Sequence, residues 1–134
     1  MNTEMHILYV EDEARSRKVM QMMASFNGFT NLVIFEDSTD FTERLLALVP
    51  SPEIIFLDIH MQPYNGFEML AQLRQLPQFR HIPVIAMTAS VMNEEIQQLR
   101  SASFDGCVAK PIDIETFPET LNRIVSGEKI WRIN

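Results

Sequence analysis

The stretch IIFLDIHMQP, residues 54–63, sets four unbroken apolar residues directly before the carboxylate of Asp58. A short run that is apolar on both faces suits a strand of a parallel sheet covered by helices on two sides. A charge at its end then belongs at the rim of that sheet. Working outward, similar runs occur at MHILYV (5–10), NLVIF (31–35), EIIFL (53–57), IPVIAM (82–87) and GCVAK (106–110). Between them lie amphipathic segments. Val19, Met22, Met23 and Phe26 are spaced i, i+3, i+4, i+7, and Phe41, Leu45, Leu48 and Val49 are spaced i, i+4, i+7, i+8, each giving a helix with one buried stripe. Further helices fit 66–76 (Phe67, Leu70, Leu73), 92–101 (Met92, Ile96, Leu99) and 114–126 (Ile114, Phe117, Leu121, Ile124, Val125). The last begins either near Asp113 or at a capping box of Thr116 and Glu119 that takes Pro118 into the first turn. Five βα units joined by right-handed crossovers predict an α/β fold: an open, doubly wound parallel sheet of five strands with helices on two faces.

Composition narrows the function. The 134 residues are 46% apolar, enough for one domain with its own core. A single cysteine, Cys107, and three histidines leave neither an internal disulfide nor a zinc-like cluster. The net charge of -7 and pI of about 4.9 disfavour nucleic-acid binding. The absence of a basic leader and of an apolar run near 20 residues predicts a cytoplasmic protein with no membrane segment.

Ligands of doubly wound sheets sit outside the carboxyl ends of the strands. There the first strand delivers Glu11 and Asp12, the third Asp58, the fourth Thr88 and the fifth Lys110. Clustered carboxylates repel unless a cation joins them, and a hard dication with oxygen ligands, Mg2+ first, suits the group. With one Asp58 oxygen on the metal, the other can attack phosphorus, while Lys110 and the metal neutralise the transferring oxygens and Thr88 donates its hydroxyl to the phosphoryl group. Taken singly, these residues have plainer readings: Glu11 to Glu13 as the acidic first turn of a helix, Asp58 as a cap, Thr88 as a strand-end hydroxyl, Lys110 as a solvated charge.

As an ordered set, ILYVEDE, IIFLDIHMQPYNGFEML with glycine eight residues after the aspartate, IPVIAMTAS and VAKPI resemble the response regulator receiver domains of two-component signalling, the CheY-like fold. The resemblance covers nearly the whole chain, divided as a receiver domain at 1–127 and a tail at 128–134, and stand-alone receivers are the nearest architecture. It implies strand order 2-1-3-4-5 and Mg2+-dependent transfer of a phosphoryl group to Asp58 from a phosphohistidine of a sensor kinase or phosphotransfer protein. It implies Asp12 and Asp58 as direct metal ligands, Glu11 acting through water, and the backbone carbonyl of His60 completing the set. It further implies Thr88 and Lys110 at the phosphoryl group, a cis bond between Lys110 and Pro111, and a downstream partner surface at about 91–126 through which homodimers can also form. Such a domain is a signalling protein whose only chemistry is its own phosphorylation and dephosphorylation.

Several residues depart from the family pattern. Gln62 stands where many members have proline, with Pro63 one place later. His60 and Ser90 occupy positions that border the phosphoryl group, although His60 also reads as an ordinary loop residue. Cys107 replaces an aromatic ring that turns inward when the threonine moves, with Phe104 a candidate substitute; by itself Cys107 reads as a small buried hydrophobe. Met22, Met23, Met69 and Met92 read as core fillers, Met92 also as part of the output face. His6 and His81 read as edge residues, and Trp131 in GEKIWRIN either folds back or meets a partner. A haloacid-dehalogenase-type phosphatase would need a second acid at position 60, and a flavodoxin-like cofactor binder a phosphate-cradling loop where EDEAR stands. The remaining alternative is a receiver fold used purely as an interaction module, without phosphate control.

Overall fold

The computed structural model describes residues 2–89 and 92–131. Five strands, β1 (Ile7–Val10), β2 (Leu32–Phe35), β3 (Ile54–Asp58), β4 (Val84–Thr88) and β5 (Gly106–Ala109), form one parallel sheet in the order 2-1-3-4-5. The helices are α1 (Ala14–Asn27), α2 (Phe41–Leu46), α3 (Gly66–Arg74), α4 (Asn93–Ser101) and α5 (Phe117–Val125), with a short 3-10 turn at Pro77–Phe79. No helix among the described residues is long and apolar enough to cross a membrane.

Strand side chains alternate between two cores, as the two-residue period of a strand requires. Leu8, Val10, Ile55, Leu57, Val84 and Ala86 pack with Phe41, Leu45, Met69, Leu70, Leu73, Ile96 and Leu99 of α2, α3 and α4. Ile7, Tyr9, Ile54, Phe56, Ile85 and Met87 pack on the opposite face with Met20, Met23, Phe117, Leu121 and Ile124 of α1 and α5. Burial on both faces explains why these strands lack a polar alternation.

The stripe expected on α1 is rotated. Met20, Met23 and Ala24 are buried, whereas Met22 is 49% and Phe26 72% exposed. The shift is about one residue, roughly 100° around the helix, and it turns the small Ala24 toward the sheet, where a short side chain permits close approach. Helix α2 stops at Leu46, so Val49 leaves the helical face and is 92% exposed before a cis bond to Pro50. Met92 is exposed rather than packed, and Val125 is 39% exposed. At α5 the later of the two starts is found, with Pro118 in the first turn, but Thr116 makes no side-chain cap. Asp113 closes the turn before the helix, its carboxylate accepting from the backbone N–H groups of Glu115 and Thr116. A capping box forms instead at α3, between Asn65 and Glu68.

After Gly127 the chain folds back onto the domain as far as Trp131, the last described residue. Gly127 carries the left-handed backbone that ends α5, with φ of 105°, a conformation open to glycine without Cβ strain. The chain then returns along the outer edge of β5: the Cys107 N–H donates to Ile130 O at 2.8 Å, and Trp131 forms a parallel bridge with Cys107. The guanidinium of Arg100, on α4, lies 4.8 Å from the Trp131 ring centroid, a contact worth about 0.5–1 kcal/mol when exposed. Glycine at 106 is demanded by this return strand, since a Cβ there would lie 2.5 Å from Ile130 O. Phe104 is buried in the same core as Cys107, edge-to-face against Phe67. Gly106→Ala is expected to destabilise the domain by about 1–3 kcal/mol and to shift the emission of Trp131, the single tryptophan, toward that of a solvated ring. Denaturant unfolding followed by fluorescence checks both.

Candidate functional site

All five strands point the same way, so their carboxyl ends share one rim, and the order 2-1-3 reverses direction between β1 and β3. Glu11 follows β1 and Asp58 ends β3, on either side of that reversal. Thr88 ends β4, and its carbonyl accepts from the Lys110 backbone N–H at 2.9 Å, which ties the last residue of β4 to the lysine following β5. Glu11, Asp58 and Thr88 are buried. Asp12 and His60 are exposed. All of them, with Lys110, line a cleft of about 480 Å³ whose apolar wall includes Tyr9, Val19, Met20 and Ile112.

Within the cleft, Lys110 Nζ donates to Glu11 Oε1 at 3.0 Å and stands 3.6 Å from Asp58 Oδ2. Asp58 Oδ1 accepts from the His60 backbone N–H at 3.1 Å, so the loop after β3 wraps the carboxylate rather than leading away from it. That loop contains a cis bond between Gln62 and Pro63, and the bond between Lys110 and Pro111 is cis as expected. The glycine eight residues after Asp58 has a steric basis. A Cβ on Gly66 would lie 2.9 Å from Ile59 Cδ1 and 3.1 Å from the carbonyl oxygen of Asp58, while the Gly66 N–H donates to Ile59 O at 3.0 Å.

The electrostatics are those of crowded like charges. Burial, then the hydrogen bond and charge of Glu11, push the Asp58 carboxyl up to about 7, only partly offset by Lys110. Burial also opposes ionisation of Glu11, but hydrogen bonds from Asp58, Tyr9 and Lys110 outweigh it and hold this carboxyl below its ordinary range. Without a metal, the proton of the pair therefore belongs to Asp58. Burial lowers the Lys110 ammonium, yet its bond to Glu11 and the charges of Asp58 and Glu11 leave it raised. Burial, followed by the charge of Glu95, pushes the Cys107 thiol up to about 11, so it is a neutral core group and not a nucleophile.

The donor set fits a hard dication. One carboxylate oxygen each from Glu11, Asp12 and Asp58 lie within 4.8 Å of one another, and all three are the oxygen donors that magnesium selects. Tyr9 escaped the sequence reading; burial and the Glu11 hydrogen bond raise its hydroxyl, which stays protonated and donates to Glu11 Oε1 at 2.6 Å. The available signal was a polar-tipped residue in an aliphatic strand, two positions before Glu11 and hence on the same face. Ser90 and Ile133 lie outside the described residues.

Comparison with known proteins gives the family and the fold. Residues 7–122 match the response regulator receiver domain. The chain belongs to the receiver domain family of two-component signalling. It is 28% identical over 116 residues to the polar-differentiation response regulator DivK of Brucella anthropi, covering 86% of this chain and 91% of that one, and 27% identical over 115 residues to DivK of Brucella ovis with the same coverage. The fold is also that of the chemotaxis response regulator CheY4 of Vibrio cholerae, at TM-score 0.79 and 21% identity, over 90% of this chain and 98% of that one. The bacteriophytochrome response regulator AtBRR is similar at TM-score 0.74 and 25% identity, over 89% and 91% of the two chains.

The raised Asp58 carboxyl has a pH signature. A carboxyl near 7 in the fold, against an ordinary 3.8, gives stability that is complete below about pH 4 and is lost as the pH rises through about 7. In chelator, Asp58→Asn is therefore expected to gain stability over the wild type progressively from pH 4 to 8. Thermal unfolding across that range measures the gap, and a gap independent of pH would contradict the assignment.

Proposed function

We propose that this protein acts as a single-domain response regulator, with residues 1–127 as the receiver and 128–134 as its tail. Asp58 accepts a phosphoryl group from a phosphohistidine of a sensor histidine kinase or phosphotransfer protein. The observation that carries the reading is the Asp58 carboxylate itself: buried at a strand end, opening on a cleft, with an ammonium at 3.6 Å and a threonine hydroxyl on the same wall. In the reaction an Asp58 oxygen attacks phosphorus, the P–N bond breaks, and its electron pair leaves with the donor imidazole, which takes up a proton. The product is an acyl phosphate.

Lys110 is placed to neutralise the equatorial oxygens of the transferring group, and Thr88 to donate its hydroxyl to one of them. Asp12 and Asp58 are the direct magnesium ligands in this reading, Glu11 acts through water, and the His60 carbonyl completes the set. When bound, the ion supplies positive charge that offsets these carboxylates and the phosphoryl oxygens. The His60 side chain, exposed at the mouth of the cleft, and Ser90 modulate how water reaches the phosphoryl group. Engagement of Thr88 biases the segment leading into α4 and so changes the surface at about 91–126, where a downstream protein or a second copy docks.

Intact-mass measurement after incubation with acetyl phosphate and Mg2+ tests the reading. One added phosphate is expected on the wild type, none with chelator and none on Asp58→Asn, and Lys110→Ala should slow the reaction by roughly 100-fold. Absence of an adduct with acetyl phosphate and with phosphoramidate alike would leave an interaction module without phosphate control.

A further inference from the structure

Besides Asp58, Glu11 is held by three donors of two kinds. The Tyr9 hydroxyl at 2.6 Å and Lys110 Nζ at 3.0 Å both donate to Oε1, while the Glu13 backbone N–H donates to Oε2 at 3.2 Å. A carboxylate offers about four lone-pair sites, so one oxygen can accept from both side chains. Tyr9 and the Glu13 amide are fixed in place: the Tyr9 ring is 1% exposed, locked in the core between the sheet and α1 and α5. Lys110 is not fixed in this way. Its stem is flexible, its side chain is 13% exposed, and its ammonium stands between Glu11 at 3.0 Å and Asp58 at 3.6 Å.

A new group on Asp58 competes with Glu11 for this ammonium, whose charge and three N–H groups the two would then share. A buried carboxylate that loses a donor is penalised heavily unless another donor remains. On Oε1, the oxygen that Lys110 would leave, the Tyr9 hydroxyl is that donor, while the Glu13 N–H stays on Oε2. It reaches Glu11 because residues two apart on a strand share a face, and it can remain in place when Lys110 moves.

We propose that Tyr9 is a positioning residue for phosphoryl transfer, whose fixed hydroxyl holds the Glu11 carboxylate while Lys110 turns from Glu11 to the group on Asp58. This role rests on the reading of Asp58 as phosphoacceptor. In a chain with phenylalanine at position 9, Lys110 is, among the described residues, the only side chain apart from Asp58 left to Glu11 and is tied there, so a phosphoryl-like group on Asp58 is bound less well.

The probe is beryllium fluoride, which mimics a phosphoryl group on a carboxylate, titrated at saturating Mg2+ into the wild type, Tyr9→Phe, Lys110→Ala and the double variant. Tyr9→Phe is expected to weaken fluoride binding roughly tenfold, the scale of one charge-assisted hydrogen bond, and to add little in the Lys110→Ala background. Equal affinity of wild type and Tyr9→Phe, or an undiminished loss in the Lys110→Ala background, would overturn the role of Tyr9 alone. Failure of the wild type to bind would overturn the reading of Asp58 and this inference with it. A second readout needs no variant: the Tyr9 hydroxyl proton, followed by NMR in the wild type, should stay protected from exchange in the fluoride complex. Its loss on complex formation would also overturn the proposal.

Discussion

Two buried carboxylates at the ends of neighbouring strands, with one ammonium between them, are the constraint around which this domain is organised. Burial without partners would neutralise Glu11 and Asp58, and the fold answers each carboxylate differently. Glu11 receives Tyr9, Lys110 and a backbone N–H, and remains ionised. Asp58 receives one backbone N–H and a more distant lysine, and retains a proton to about pH 7. Both carboxylates line the cleft, and Asp58 is the one with fewer donors from the rest of the fold. The same asymmetry makes Asp58 receptive to a dication and, in the proposed reaction, to phosphorus.

The architecture supports this arrangement from several directions. Pairing of β1 with β3 sets Glu11 beside Asp58, and the tie between the Lys110 N–H and the Thr88 carbonyl holds the lysine at the same rim. Gly66 lets the start of α3 press on the backbone of Asp58 and Ile59. Arg74 and Asp105 brace the far end, where Asp105 Oδ2 accepts from both the guanidinium and the Val84 N–H. On the outer edge of β5, a small thiol at 107 and a glycine at 106 admit the returning tail. Its Trp131 rests on the core containing Cys107 and under Arg100 of α4. An aromatic ring thus stands beside α4 and β5, supplied by the tail instead of by β5.

Much of this was legible in the sequence because the signals were of two strong kinds. Apolar runs that end in Glu11, Asp58, Thr88 and Lys110 located the strands and their rim together, and the rim residues converge as the topology requires. What escaped depended on contacts between distant segments. Met20, Met22 and Met23 are equally apolar, so periodicity could not choose the buried side of α1, and the small Ala24 decided it through approach to the sheet. Thr116 and Glu119 have capping-box spacing, but the Thr116 N–H is taken by the Asp113 carboxylate and the Glu119 N–H by the Thr116 backbone carbonyl. Gly106 looked like any glycine until Ile130 was seen against it. Tyr9 reads only as part of the strand MHILYV, because nothing in that run shows that its hydroxyl meets Glu11.

The most direct test of the central claim is proton release on magnesium binding, measured by calorimetry of the unphosphorylated protein in buffers of different ionisation enthalpy. If Asp58 carries the displaced proton at about 7, close to one proton per ion should leave at pH 6 and only about a tenth at pH 8. Release should vanish in Asp58→Asn. Magnesium binding without proton release at pH 6, or release that persists in Asp58→Asn, would contradict the account.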